Sequence, residues 1–96
     1  MEYFELGQVV FSKRGRDRDT AYVVVGTLEE SGKQYALLAD GNRRMADNPK
    51  KKKLMHIQPT KTFIQYESNG DVGARNAYLR KSLSKYVQEI SAVAEN

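Results

Sequence analysis

Two β-forming runs, Val9–Phe11 and Ala21–Val25, flank a loop that carries Lys13, Arg14, Arg16 and Arg18 within six positions, together with Gly15. β-Branched and aromatic side chains fit a pleated, half-buried surface, so each run reads as a strand. A strand–basic loop–strand unit holds its cations on a rigid frame, where they can meet phosphates without being ordered afresh on binding. That unit constrains both the fold and the partner.

The second run extends as a strand over Ala21–Leu28. Glu30-Ser31-Gly32-Lys33 is a turn, with Gly32 free to take the positive φ of a tight hairpin. Gln34–Ala39 reads as the returning strand, ended by the turn signal Asp40-Gly41-Asn42. A polar stretch from Arg43 to Pro49 leads into the tetralysine Lys50–Lys53, and Leu54–Ile57 is a further strand candidate closed by Pro59. Four or five short strands at close spacing predict a mainly β fold, a small and strongly bent sheet or barrel. Thr60–Tyr66 holds Phe63, Ile64 and Tyr66, too apolar for a free connector, and is expected to lie against the barrel. Asn69 and Asp71 are both placed to cap the helix that follows. In that helix Leu79, Leu83, Tyr86, Val87, Ile90 and Ala94 share one face, while Arg80, Lys81, Ser84, Lys85, Gln88 and Glu89 fall largely on the other. A docking helix over the barrel is expected, with binding of a partner protein or a second copy as the alternative. The predicted organisation is one domain: a barrel over residues 1–60, a packed connector over 61–72 and an amphipathic helix over 73–96.

Charge is uneven along the chain. Lys and Arg outnumber Asp and Glu by 16 to 12 in 96 residues. Residues 1–61 hold twelve basic and eight acidic side chains, whereas residues 62–96 hold four of each. A basic front half favours anionic partners, nucleic acid above all. No cysteine is present, which excludes a disulfide frame and a thiolate metal site and fits a cytoplasmic location. The start Met1-Glu2-Tyr3-Phe4-Glu5 is acidic and lacks a long apolar run, so neither a signal peptide nor a membrane association is expected.

The loop between the first two strands resembles a KOW motif, the short RNA-binding element of several ribosomal and transcription proteins. The likeness continues through Leu38-Ala39-Asp40-Gly41, then Arg43 and Arg44, then Lys50–Lys53, then Leu54-Met55-His56-Ile57, covering roughly residues 6–60. In this order the chain is similar to the archaeal and eukaryotic large-subunit ribosomal protein family L-fourteen-e. It is more similar to small bacterial KOW-domain RNA-binding proteins related to that family, whose helices share a pattern like Arg80-Lys81-Ser82-Leu83. The resemblance implies an SH3-like KOW barrel capped by one C-terminal helix. One departure stands out: KOW loops place a glycine after the basic loop residue, and here Asp19 follows Arg18. Aspartate visits the left-handed region more readily than most residues, so the turn can survive, while its carboxylate repels a nearby phosphate.

The resulting RNA-binding set is Lys13, Arg14, Arg16, Arg18, Arg43, Arg44 and Lys50, Lys51, Lys52 and Lys53, with Tyr22 and His56 as secondary contacts. Lysine attracts phosphate as a point charge and arginine adds two-pronged hydrogen bonding. Tyr22 and Tyr35 lie within apolar strands, which favours packing over stacking on bases, and Phe11 reads as core. His56 is the sole histidine, so a zinc site, which needs about four ligands, is not expected, nor is any other cofactor. Asp40 is expected to cap local amides. No nucleophile–base pairing is visible, so the expectation is a non-enzymatic protein, monomeric when free. Its expected partners are ribosomal RNA of the large subunit or its assembly intermediates, and ribosomal proteins. The alternative is a protein-interaction module of the transcription or translation machinery.

Overall fold

The structure, a computed structural model, describes residues 4–66 and 71–95, with helix side chains described as far as residue 90. Five strands, β1 (Gln8–Ser12), β2 (Ala21–Glu30), β3 (Lys33–Ala39), β4 (Lys50–Lys53) and β5 (Ile57–Phe63), precede one helix, α1 (Val72–Glu95). A single 3₁₀ turn, Leu54–His56, separates β4 from β5. The strands form one antiparallel sheet in the order β4-β3-β2-β1-β5. Among the described residues the sheet is open, with β4 and β5 as its edges, so the fold observed is a small β-rich domain with one C-terminal helix.

Local chemistry accounts for the joints. The β2–β3 hairpin pairs Glu30 with Lys33 across Ser31 (φ 53°) and Gly32 (φ 76°). Positive φ at both central residues is the turn whose twist matches that of the flanking strands. β1 pairs with β2 through Val9–Val23 and Val10–Tyr22, and β3 with β4 through Leu38–Lys50 and Ala36–Lys52.

Side chains alternate across a sheet, and here both faces of the central strands are covered. One face buries Val10, Tyr22, Val24, Ala36, Leu38 and Ile57 with Phe4. The other buries Val9, Val23 and Ala39 against Ala46, Tyr66, Leu79 and Leu83. Double coverage explains why Tyr22-Val23-Val24-Val25 is continuously apolar instead of alternating. Asp71 caps the helix, its carboxylate accepting from the Ala74 amide at 2.9 Å; Asn69 lies outside the described residues.

Four expectations are corrected. Leu54–His56 is a 3₁₀ turn and not the start of a strand, and the tetralysine is itself strand β4. Pro59 does not close the following strand: it sits inside β5, an edge strand where a missing N–H on the unpaired side costs no ladder bond. Among the described residues the apolar stripe of α1 is unevenly covered: Leu79 and Leu83 are buried and Tyr86 is half-buried, while Val87 and Ile90 remain 41% and 39% exposed. The Ala94 side chain lies outside the described set. Phe11 is half-buried, its ring centroid 6.2 Å from that of Tyr86. No described helix is long and apolar enough to cross a membrane.

Candidate nucleic-acid interface

The antiparallel order brings the β1–β2 loop and the β3–β4 connection to one end of the sheet. The first carries Lys13, Arg14, Arg16 and Arg18, the second Arg43 and Arg44, and all six side chains are exposed. β5 begins beside them, because Ile57 pairs with Ser12.

The β1–β2 loop is held at both ends and in its middle. The Lys13 amide donates to the His56 carbonyl at 2.9 Å, and the Asp19 amide donates to the Ser12 carbonyl at 2.8 Å. Asp19 has φ 68°, the left-handed conformation that a glycine would take without cost. In the middle, Asp17 alone among the charged loop residues turns inward. Its Oδ1 accepts from Ser12 Oγ at 2.9 Å and Lys52 Nζ at 2.8 Å; its Oδ2 accepts from Tyr22 Oη at 3.0 Å and Lys50 Nζ at 2.7 Å. Lys52 Nζ also donates to the Arg14 carbonyl at 2.6 Å. Burial would raise the Asp17 carboxyl, but the hydrogen bonds from Lys50, Lys52, Ser12 and Tyr22 outweigh it and hold the group well below the usual carboxylate range. Tyr22 shifts the other way: burial and its bond to Asp17, helped by the charges of Asp17 and Asp40 and opposed by Arg44, push its hydroxyl up to about 12.

The second basic turn is equally fixed. Asp40 Oδ1 accepts from the amides of Asn42 and Arg44, both at 2.9 Å, as expected for a local cap. The turn docks on α1, where Asn76 Oδ1 accepts from the Ala46 amide at 2.7 Å and Arg80 donates to the Gly41 carbonyl at 3.3 Å.

Not every basic residue of the set reaches this surface. Strand alternation splits the tetralysine. Lys50 and Lys52 face inward onto Asp17, and Lys52 is buried, so its ammonium is a structural group and not a free cation. Lys51 and Lys53 face the other way; Lys51 lies 3.3 Å from Glu30 and 4.8 Å from the centre of the Tyr35 ring. Tyr22 is 2% exposed, which leaves no face for stacking on a base. His56 is half-buried beside the loop. Partial loss of water and the charges of Arg14, Lys53, Lys52 and Lys13 hold its imidazole below the ordinary histidine range.

Reading the sequence singled out Asp19 and missed Asp17. The available signal was an acid within a run of arginines followed, some thirty residues on, by lysines at alternate strand positions. No protein-family profile matches the chain, and no curated protein is significantly similar to it.

Proposed function

We propose that this protein binds RNA without catalysing a reaction, through phosphate contacts from Lys13, Arg14, Arg16, Arg18, Arg43 and Arg44. The open sheet is read here as an SH3-like barrel of the KOW kind: β5 returns from a 3₁₀ turn to pair with β1, and α1 covers one face. Ribosomal RNA of the large subunit, or its assembly intermediates in the cytoplasm, is the proposed ligand, on the resemblance drawn from the sequence.

One observation carries the reading. The sole inward charge of the β1–β2 loop, Asp17, is neutralised from beneath by Lys50 and Lys52, which leaves four cations of a pinned loop facing outward beside two more. Because the loop backbone is already ordered, binding costs mainly side-chain freedom. Binding of a ribosomal RNA fragment measured against salt concentration tests it. If five cations each neutralise one duplex phosphate, log affinity falls with log salt at a slope of about −4.5. A folded Arg14/Arg16/Arg43/Arg44→Ala variant is expected to bind weakly with a shallower slope; unchanged affinity in that variant would overturn the proposed surface.

A second reading rests on a different place. Leu28 and Met55 are exposed beside a groove lined by Phe4, Tyr35 and Leu54, at the hairpin end of the sheet. A protein ligand would use that groove, and capture of a partner that survives nuclease and high salt would favour it over RNA.

A further inference from the structure

The end of the sheet that carries the basic segments also holds a cleft. β2 begins there and β3 ends there as neighbouring strands, Val23 pairing with Ala39. α1 crosses beside them, its Arg80 donating to the Gly41 carbonyl at 3.3 Å. Between these three elements lies a cleft of about 450 Å³, a volume usual for a small-molecule site. Ala21 from β2 and Leu83 and Val87 from α1 give it an apolar lining, and Arg80 lines it as well. Thr20, Asn42, Ser84 and Gln88 add hydrogen-bonding groups, the last three exposed. Val87 is 41% exposed, an apolar residue of the helix stripe that the sheet leaves uncovered.

Both basic segments open onto this cleft. Thr20 follows the β1–β2 loop two residues after Arg18, and Asn42 directly precedes Arg43 and Arg44. The carboxylate in the lining, Asp40, accepts from the Asn42 and Arg44 amides and so serves the turn. An apolar cleft between cationic turns suits an occupant that is itself uncharged but is joined to phosphates on both sides. An unpaired nucleobase is such an occupant: extruded bases are held by apolar contact on their faces and hydrogen bonds at their edges. Arginine also stacks its planar guanidinium on bases. A protein partner fits less well, because a stable interface covers about 800 Å² on each side and this cleft offers three apolar residues.

We infer that the cleft between α1 and the two basic segments receives one unpaired base of the bound RNA, with the phosphates flanking that nucleotide held by Arg18 on one side and by Arg43 and Arg44 on the other. The inference rests on the RNA-binding reading above and deepens it, since it names the class of RNA: a bulge or loop, and not an uninterrupted duplex. Ala21, Leu83 and Val87 meet the face of the base, and Thr20, Asn42, Ser84 and Gln88 are within the lining that meets its edge. The helix thereby joins the binding surface instead of only covering the sheet.

The test measures binding of the full chain, at fixed salt, to three kinds of RNA hairpin. One is fully paired, one carries a single bulged nucleotide with each of the four bases in turn, and one carries an abasic residue at the bulge. At least one bulged base is expected to raise affinity about tenfold over the paired and abasic hairpins. The methyl resonances of Leu83 and Val87 are expected to move with that bulged hairpin and to stay in place with the paired one. Val87→Lys, which adds a cation while projecting a charge into the cleft, is expected to bind bulged and paired hairpins alike. Equal affinity of the native chain for all three kinds, or a bulge preference that survives in Val87→Lys, overturns the inference while leaving RNA binding intact. Absence of binding to every hairpin removes the functional reading and this site with it. A free nucleoside monophosphate is titrated in parallel: if it moves the Leu83 and Val87 resonances while bulged RNA does not, the cleft is a site for free nucleotide and the RNA assignment is wrong.

Discussion

Lys52 Nζ lies 2.8 Å from Asp17 Oδ1, and each side chain is 9% exposed. Lys50 occupies the other carboxylate oxygen at 2.7 Å but is itself 29% exposed. Removing one partner of a buried pair leaves the other charge uncompensated, at a cost of about 3–5 kcal/mol. Asp17→Asn is therefore expected to lower stability by about that amount in urea unfolding, since it strands two ammonium groups. Lys51→Ala, whose pair with Glu30 is solvent-exposed, is expected to change stability by less than about 1 kcal/mol. Equal effects from the two substitutions would mean that the inward and outward lysines do not differ as described.

The same carboxylate sets an acid limit. Its folded-state pKa lies below the unfolded value, so the unfolded chain binds more protons and stability rises with pH through that window. The contribution is full above about pH 4, the ordinary carboxylate range, and drains as pH falls below it. An acid titration of native stability should show this loss, and Asp17→Asn should lack it. At the alkaline end the raised Tyr22 hydroxyl acts in the opposite sense: its contribution is complete below the ordinary value of 10.0 and is lost as pH climbs toward about 12.

Asp19 holds a backbone conformation that suits glycine, with an exposed carboxylate in a cationic loop. Asp19→Gly trades that strain, about 1 kcal/mol, against the extra freedom of an unfolded glycine, so stability should change by less than about 1 kcal/mol. On the proposed function RNA affinity is expected to rise, because a negative charge leaves the surface proposed to meet phosphate. A fall in affinity would show that Asp19 itself accepts a hydrogen bond from the ligand.

Gly41 marks the closest approach of the second basic turn to the helix. Its φ is 76°, and a Cβ there would meet the Asn76 carbonyl oxygen at 2.0 Å. Gly41→Ala should cost more than about 2 kcal/mol, through both the strained backbone and the displaced helix. Hydrogen exchange of α1 amides would report the loosening directly.

Much of this was legible in the chain. The hairpin at Ser31-Gly32, the Asp40 cap, the Asp71 cap and the extent of α1 follow from local chemistry that a few neighbouring residues determine. The burial of Tyr22 follows from its apolar surroundings. What was not legible depends on pairing between distant segments. Lys50–Lys53 is a poor strand by composition and becomes one because β3 offers an edge and Asp17 a counterion. Asp17 itself looks like one more loop charge until β4 arrives beneath it. The exposure of Val87 and Ile90 depends on how far the sheet extends under the helix, which no helical period encodes.

The tetralysine has a further consequence at the margin of the sheet. An edge strand offers unpaired backbone groups to any passing chain, and natural sheets guard against this with lysine, proline and inward-pointing charge. β4 carries four lysines with two turned inward, and β5 carries Pro59 and Lys61. Both margins therefore carry the features by which natural sheets resist edge-to-edge pairing, and on β4 the same inward lysines that order the basic loop supply them.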